Sequence, residues 1–455
     1  MKETGYGYPQ GHVFYRRMSF PRPMAAHGEG LYLFDTDGRR YIDASGGPVL
    51  VNIGHGVDEV VEAIAEQARQ VAYVHATMFT SQVVEDYSNA LAEVTPLPDP
   101  RFFYLCSGSE ATETAIKFAR QVQVDRGEAE RHLIISRWRS YHGTTLGALA
   151  VSGRPSLRSL YQPMMHDMPH IAPPYCYRCP FGLTYPSCEI ACAITLEDQI
   201  KILGANIVAG FIAEPISGAS LAAAVPPPEY WPLIREICDH YGLLLIDDEV
   251  LTGFGRAGRW FAIETWEVTP DVITMAKGAA GGYWPLSVTA VKREHANVIH
   301  EGRGDFVHGG TFSHHAVGAA AGLATLRYIQ QHGLVDASAC KGGRLQAKLQ
   351  AALGHHPHVG DIRGQGLMLG LEFVADRTTK EPFPTTARLA RRLGDAAFER
   401  GLILYPGQGT VDGVRGDHIM IAPPFIISDE QMDEIIAILV EALDAVLPSP
   451  EYISA

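Results

Sequence analysis

The chain has 455 residues, of which 46% are hydrophobic and 19% charged, and this excludes wholesale disorder because the apolar residues suffice for a large core. Its 37 lysines and arginines against 51 aspartates and glutamates give a net charge of −14, which argues against nucleic acid or an anionic membrane as a partner. The N-terminus lacks the apolar segment of a signal peptide, and no apolar run reaches the roughly 18 residues of a membrane span, so we expect no transmembrane helix.

The predicted elements begin with two short strands around the Asp37-Gly38 turn at 27–43, followed by a helix at 58–72. Beyond residue 100, buried strands are predicted at 102–105, 132–135, 207–213, 243–246, 271–275 and 286–291. Helical stretches such as 109–126 and 229–241 separate several of them. This alternation predicts an α/β domain with a mostly parallel sheet.

The rest of the chain has a different pattern of predicted secondary structure. Residues 318–353 are predicted to form a long helical region, and 360–455 an α+β region. Within the latter, 362–374 is predicted as a strand, 389–401 as a helix that ends at Gly401, and 429–447 as a terminal amphipathic helix.

A segment rich in serine and glycine follows the first buried run, at Ser107, Gly108 and Ser109. Ligands of open α/β sheets collect at the carboxyl ends of the strands. Backbone N–H groups and hydroxyls at a helix start, together with the helix dipole, suit a phosphate. An ordinary serine N-cap is the alternative interpretation.

Three other strand ends carry reactive or binding residues. Tyr141 could stack on a flat ligand ring, or simply pack on the core. Asp248 stands in the run Asp247-Asp248-Glu249, where buried carboxylates are costly unless they are used; a Walker-type magnesium site is excluded because no Gly-Lys-Ser/Thr occurs. Lys277 opens onto a glycine-rich loop, so partial desolvation should lower its pKa and make the amine a nucleophile. The alternative is a structural lysine whose aliphatic chain is buried while its ammonium group stays in water.

These four features occur in one order along the chain: a phosphate cradle, an aromatic ring, a carboxylate and a lysine. Pyridoxal phosphate requires all of them, because its phosphate must be bound, its pyridine nitrogen kept protonated and its aldehyde held by an amine. The combination therefore predicts a pyridoxal phosphate site, although each feature alone has a simpler explanation.

Longer motifs extend over the chain, namely GEGLYLFDTDGRRYIDASGG, SGSEATETAIKFAR, SYHGTT, AEPISG, LLIDDEVLTGFGRAG, ITMAKGAAGGYWPLS, HGGTFSHH, IRGQGLMLGLEF and GDHIMIAPPFIIS. In these motifs the chain resembles the class III (ω-) aminotransferases, pyridoxal phosphate enzymes of fold type I, and most of all the branch that acts on amines or ω-amino acids with pyruvate. The resemblance implies a large cofactor-binding domain at 60–325. It also implies a smaller α+β domain formed by 1–59 with 326–455.

The same resemblance implies roles for individual residues. Lys277 would hold the cofactor's aldehyde as a Schiff base and later shuttle the proton. Asp248 would pair with the pyridine nitrogen, and Thr311 would reach the phosphate from a neighbouring subunit, which implies a homodimer with shared sites and allows a tetramer. The full cofactor-binding set would be Ser107, Gly108, Ser109, Tyr141, Glu214, Asp248, Val250, Lys277 and Thr311.

Departures from the family pattern bear on the substrate. The ornithine branch typically has an arginine where Met420 stands here and a glutamate where Ala219 stands, which weakens an ornithine-type interpretation. Leu251 replaces a glutamine that often contacts the cofactor. Arg415 would swing in to bind a carboxylate and out to admit an apolar amine. The predicted substrate pocket consists of Val49, Phe79, Ala219 and Arg415.

Four of the seven cysteines, Cys176, Cys179, Cys188 and Cys192, crowd into one insertion. Four thiols at this spacing can form a tetrahedral zinc site that stiffens the loop. Reduced cysteines in a packed loop, or one or two disulfides, are the alternatives. Because the cysteines do not form a framework along the whole chain, a reducing cytoplasm is the expected compartment.

The sequence thus predicts a pyridoxal-phosphate-dependent aminotransferase that moves an amino group from an amine or ω-amino acid to a keto acid, pyruvate, by ping-pong kinetics. A racemase, aminomutase or decarboxylase of the same fold is the alternative. A non-catalytic dimeric binding protein is a more remote alternative, because the residues expected for catalysis and cofactor binding are all present, namely Lys277, Asp248, Tyr141 and Thr311.

Overall fold

The computed structural model describes residues 11–18, 20 and 22–447. The strands are β1 (Ala25–Glu29), β2 (Tyr32–Asp35), β3 (Arg40–Asp43), β4 (Pro100–Leu105), β5 (Leu133–Arg137), β6 (His170–Ile171), β7 (Val208–Ala213), β8 (Leu244–Asp248), β9 (Val272–Met275), β10 (Ser287–Lys292), β11 (Val359–Gln365), β12 (Met368–Phe373), β13 (Leu402–Ile403), β14 (Tyr405–Gln408) and β15 (Asp417–Ile421). The helices are α1 (Gly46–Val49), α2 (Asp58–Gln70), α3 (Gln82–Val94), α4 (Gly108–Asp125), α5 (Leu146–Val151), α6 (Pro155–Arg158), α7 (Ala191–Leu203), α8 (Tyr230–Tyr241), α9 (Arg293–Glu301), α10 (Ala316–Gln331), α11 (Leu334–Leu353), α12 (Leu389–Glu399) and α13 (Asp429–Val446).

The largest sheet has seven strands in the order β4-β10-β9-β8-β7-β5-β6. Strands β9, β8, β7, β5 and β6 pair in parallel. Strand β10 is antiparallel to both of its neighbours, β4 and β9, so β4 has the same direction as the parallel set. The mostly parallel α/β sheet predicted from the sequence is confirmed, and the run at 286–291 is its antiparallel member.

Both faces of this sheet are covered by hydrophobic side chains. Phe211 and Leu245 belong to the main core cluster, whereas Ile212 and Ile246 belong to a second cluster that includes Phe118 of α4. Because successive strand residues point to opposite faces, a continuous apolar run is what a sheet buried on both sides requires. Polar groups that follow these strands therefore emerge at the strand ends.

The two ends of the chain share a smaller sheet, in the order β1-β2-β3-β13. Strand β13 pairs in parallel with β3, with Leu402 opposite Ile42 and Ile403 opposite Asp43. A third sheet, β11-β12-β15-β14, is antiparallel. The division into a large domain at 60–325 and a small domain formed by 1–59 with 326–455 stays a prediction.

Three predicted elements differ from the structure. The region predicted as two strands at 27–43 contains parts of three, because the chain also turns at Gly30, with a φ of 56°, between β1 and β2. The strand predicted at 362–374 is a hairpin of β11 and β12, because Gly366, with a φ of 57°, allows the chain to turn between them. The helical region at 318–353 is two helices, α10 and α11, separated at Gly333, which also has a positive φ of 57°. In the described part of the chain, no helix combines the length and the apolar character that a membrane crossing needs.

Candidate active site

One cavity of about 270 Å³ opens at the carboxyl ends of β4, β5, β7, β8 and β9. It gathers residues from eight separate stretches of sequence, five of which follow these strands, as expected at the carboxyl edge of a parallel sheet. The predicted residues that line it are Ser107, Gly108, Ser109, Tyr141, Glu214, Ala219, Asp248, Val250 and Lys277.

The N-terminus of helix α4 forms one end of the cavity. Ser107 is the N-cap, its Oγ accepting a hydrogen bond from the Glu110 backbone at 3.4 Å. Ser109 Oγ accepts a hydrogen bond from the backbone N–H of Thr144 at 3.1 Å. A Cβ at Gly108 would come within 2.8 Å of Val250, so glycine leaves open the space between the helix start and the valine. Backbone donors, hydroxyls and the positive end of an 18-residue helix dipole therefore face the cavity here.

Asp248, the last residue of β8, is a buried carboxylate with three donors. Its Oδ2 lies 2.6 Å from Nδ1 of His142, and its Oδ1 accepts from the Val250 backbone at 3.0 Å and from Thr274 Oγ1 at 3.1 Å. The Nε2 atom of His142 is buried and has no hydrogen-bond partner among the described residues. These donors stabilise the ionised carboxylate and fix its position in the cavity wall.

The other two carboxylates of the run do not line this cavity. Asp247 and Glu249 alternate with Asp248 along the strand and therefore point to the opposite face. Glu249 accepts hydrogen bonds from Thr252 and from the Ile263 backbone, the latter at 2.9 Å. Burial raises the pKa of Glu249 to about 8 and that of Asp247 well above its usual range. Burial therefore disfavours the charged form of both groups.

Glu214 follows β7 and lies beside the same cavity wall. Burial raises its pKa to about 7, although the charges of His142 and Arg137 oppose the shift. Its Oε2 atom is buried without a hydrogen-bond partner among the described residues, while Arg137 donates to its backbone carbonyl. A carboxyl in this state can hold or release a proton near neutral pH.

Lys277 follows β9 and presents its amine to the cavity. Its backbone has a φ of 45°, a left-handed conformation that is uncommon for residues other than glycine. Desolvation lowers the pKa of Lys277 to about 8, while the Asp248 and Glu214 carboxylates raise it in part. A substantial share of this lysine is therefore a neutral, nucleophilic amine near physiological pH.

Four predicted residues do not line the cavity of this single chain. Val49 is only 2% exposed, and its neighbour Leu50 lines the cavity instead. Phe79 is 67% exposed, and Thr311 is exposed as well. Arg415 is exposed and donates from Nε to Asp412 Oδ2 at 2.7 Å, so its guanidinium lies outside the cavity.

The sequence interpretation missed several residues at the site. His142, the partner of Asp248, directly follows Tyr141 in the sequence. Its position after a predicted strand is the sequence feature that could have identified it. Tyr405 comes from β14 of the C-terminal region and had no local signal. The further lining residues are Leu50, Cys106, Gly143, Ile216, Leu251, Thr252, Ala276, Trp284, Pro285, Leu286 and Tyr405.

These residues fit pyridoxal phosphate. The start of α4, where Gly108 leaves space, suits the phosphate. Asp248 is buried and hydrogen-bonded, which suits a protonated ring nitrogen, and the amine of Lys277 suits an aldehyde. The three groups border the same cavity, so one bound molecule can contact all of them.

The sequence matches the family model for class III aminotransferases over residues 16–443. A putrescine–pyruvate aminotransferase of Pseudomonas aeruginosa is 34% identical over 417 residues, covering 91% of this chain and 89% of that protein. A diaminobutyrate–2-oxoglutarate transaminase of Halomonas elongata is 36% identical over 425 residues, covering 92% and 89%. The crystal structure of an (S)-enantioselective ω-transaminase from Thermomicrobium roseum superposes with a TM-score of 0.88 at 37% identity, over 96% of this chain and 95% of that one.

Proposed function

The chain belongs to the class III aminotransferases, which depend on pyridoxal phosphate, and we propose that it moves an amino group from an apolar amine or ω-amino acid to pyruvate. The observation that carries this proposal is the composition of the cavity wall around Lys277. Leu50, Ile216, Leu251 and Trp284 are apolar, and apart from Lys277 the described lining residues include no lysine or arginine. An uncharged amine substituent therefore meets apolar surface there.

Bound pyridoxal phosphate supplies an aldehyde for the donor amine and a ring that accepts the electron pair left when a proton departs. Lys277 would hold the aldehyde, and its amine would accept and return the proton of the donor. Asp248, held by His142, would keep the ring nitrogen protonated. Tyr141 and Val250 would enclose the ring, and the helix start at Ser107, Gly108 and Ser109 would bind the phosphate.

Glu214 has a separate role in this proposal. Its carboxyl lies in the wall near Asp248 and Lys277 and has a pKa of about 7 through burial. It supports the Asp248 side of the pocket and adjusts to the charge of the neighbouring groups by taking up or releasing a proton. This keeps the number of uncompensated buried charges low as substrates come and go.

A keto acid brings a carboxylate into a pocket that has no fixed arginine among its described lining residues. Arg415 is the candidate cation, because its ion pairs with Asp412, at 2.7 Å, and Glu381, at 3.8 Å, are on the surface. Water and dissolved salt screen exposed ion pairs of this kind, so Arg415 can leave them at little cost. It pairs with the carboxylate of pyruvate and withdraws when an apolar amine binds.

A second copy of the chain completes the site. Met78, Phe79, Val307 and Phe312 are 73%, 67%, 65% and 55% exposed, although all are apolar. Tyr73 and Phe312 lie edge to face with ring centroids 6.3 Å apart, so the 71–79 and 307–315 segments form one patch. Burial of this patch in a homodimer brings Phe79 and Thr311 to the partner's cavity, where Thr311 contacts the cofactor phosphate.

The donor and acceptor are tested by steady-state kinetics of the holoenzyme with 1-phenylethylamine, putrescine, β-alanine and L-ornithine as donors, each with pyruvate and with 2-oxoglutarate. We expect amine donors with pyruvate to be fastest and to give the parallel double-reciprocal lines of a ping-pong mechanism. Preference for 2-oxoglutarate, activity with ornithine alone, or turnover without any keto acid contradicts the proposal; the last result indicates a racemase or mutase.

The Arg415 role is tested by R415A, with R391A as the matched control. Arg391 is also an exposed arginine on a surface ion pair, 3.9 Å from Asp395. We expect R415A to raise the KM for pyruvate by at least tenfold while leaving the half-reaction with 1-phenylethylamine unchanged, and R391A to alter neither. An equal effect on both half-reactions shows that Arg415 acts on the fold or on the cofactor instead.

A further inference from the structure

The four clustered cysteines lie around one small cavity that shares no lining residue with the active-site cavity. Cys176 and Cys179 belong to a tight turn after β6, Cys188 lies just before α7, and Cys192 is in the first turn of that helix. All four line a cavity of about 20 Å³, close to the space of a single water-sized sphere. Its other walls are apolar or aromatic, among them Phe181, Leu183 and Pro227.

We propose that this cavity is a structural zinc site with Cys176, Cys179, Cys188 and Cys192 as its ligands. Thiolates at C-x2-C and C-x3-C spacing supply two ligands from each of two short segments, which is the arrangement of closed tetrahedral zinc sites. Soft sulfur ligands select zinc over the hard cations of oxygen sites. The site has no position for substrate, so its role is in the fold and not in transamination.

The four sulfur atoms are spaced more widely than those of a closed tetrahedral zinc site. No three of the four sulfur atoms, all of them in the described part of the chain, lie within 4.8 Å of one another. In a tetrahedral site with Zn–S bonds of about 2.3 Å, neighbouring sulfurs are roughly 3.8 Å apart. Metal binding therefore draws the turn and the helix start together by about an ångström or more.

The surrounding charges suit the complex. Four thiolates and one Zn²⁺ carry a net charge of −2. Because the site is partly buried, this charge is costly unless positively charged side chains lie nearby. Arg139, Arg178 and Lys380 line an adjoining cavity together with Cys176 and Cys179. The Nη2 atom of Arg178 is buried without a partner among the described residues, and Lys380 Nζ donates to the Tyr177 carbonyl at 2.8 Å.

The cysteine loop also connects the large sheet to the C-terminal region. Tyr175 donates a hydrogen bond to the buried carboxylate of Glu372 in β12, and Arg178 Nε donates to the same group at 2.6 Å. Thr410, which precedes the Arg415 loop, donates to Glu372 at 3.0 Å as well. A metal that fixes Cys176 and Cys179 therefore also fixes the residues that hold β12 and this loop in place.

Metal analysis of the purified, buffer-exchanged holoenzyme tests the proposal, with C188S and C340S compared against the wild type. Cys340 is an exposed cysteine on α11 outside the loop, so C340S is the matched control. We expect one zinc per chain in the wild type and in C340S, and loss of zinc in C188S. Absence of stoichiometric zinc in the wild type, or iron in its place, overturns the proposal.

Two measurements on the wild type keep the test valid if C188S fails to fold. Thiol alkylation mapped by mass spectrometry should show the four cysteines protected until a chelator is added, and reactive afterwards, with a fall in the unfolding midpoint. Growth with cobalt should give the near-ultraviolet charge-transfer absorption of a cobalt–thiolate site. Disulfides in the intact mass, or four thiols that react at once without a chelator, contradict the zinc assignment.

Discussion

The hydrogen bond between His142 and Asp248 leads to a quantitative prediction about cofactor binding. Oδ2 of Asp248 has His142 as its side-chain donor at 2.6 Å, whereas Oδ1 is shared by the Val250 backbone and Thr274. Replacing His142 with alanine therefore strips one oxygen of its donor. Replacing Thr274 with valine leaves the other oxygen bonded to the backbone.

These differences set the expected magnitudes. A hydrogen bond to a charged group in a buried place is worth about 1.5–3 kcal/mol, which corresponds to roughly a 10- to 150-fold loss of affinity for a cofactor that relies on the ionised Asp248. The longer Thr274 bond, at 3.1 Å and backed by the Val250 N–H, is worth about 1 kcal/mol or roughly fivefold. H142A should therefore weaken cofactor binding by more than T274V does.

The assay is titration of each apoenzyme with pyridoxal phosphate, followed by quenching of the tryptophan fluorescence, because Trp284 lines the cavity. The unfolding midpoint of each apo variant serves as the control for damage to the fold. Equal losses in the two variants, or unchanged affinity in a well-folded H142A, would refute the view that His142 holds Asp248 in its binding state.

Three further predictions follow from buried charges. The pKa of about 8 at Lys277 predicts that covalent capture of pyridoxal phosphate by the apoenzyme accelerates as the pH rises through 8, and that K277A captures none by mass spectrometry. Folding raises the pKa of Glu214 from 4.5 to about 7, so the native apoprotein binds more protons than the unfolded chain in this window. Its stability should fall by up to ~3 kcal/mol as the pH rises from 4.5 to 7, and denaturant titrations of E214Q should lack this component of the decline. Asp271 accepts hydrogen bonds from Arg235 and Lys292, each at 2.8 Å. D271N should therefore lower the free energy of unfolding, measured in urea, by about 3–5 kcal/mol. A decrease below about 1 kcal/mol would contradict the importance of this network.

The sheet and the carboxyl-edge residues could be predicted because each depends on local sequence. A continuous apolar run such as 207–213 is typical of a strand buried on both faces, and a residue that follows it must lie at the sheet edge. Glu214, Asp248 and Lys277 line the cavity for this reason. The period of two also explains why Asp248 faces the cavity while Asp247 and Glu249 do not.

The remaining parts of the site depend on contacts between distant segments, which periodicity does not reveal. Leu50 lines the cavity in place of Val49 because the short α1 segment is irregular, with positive φ at Gly46, Gly47 and Val49. Tyr405 reaches the cavity because the C-terminal region packs over the strand ends. The prediction of one strand at 362–374 is wrong because Gly366, with a positive φ, lets the chain turn back between β11 and β12, whose residues then pair with each other.

Arg415 provides a last test, because its surface ion pair competes with its proposed position in the pocket. Asp412 Oδ2 accepts from Arg415 Nε at 2.7 Å, and Asp412 Oδ1 accepts from the Arg415 backbone, also at 2.7 Å. D412N keeps an oxygen for the backbone bond but removes the charge that holds the guanidinium outside. Since the pair is exposed and therefore weak, the KM for pyruvate should fall by no more than roughly fivefold, with no change for 1-phenylethylamine. A higher KM for pyruvate in D412N would mean that Asp412 positions Arg415 for the carboxylate instead of competing with it.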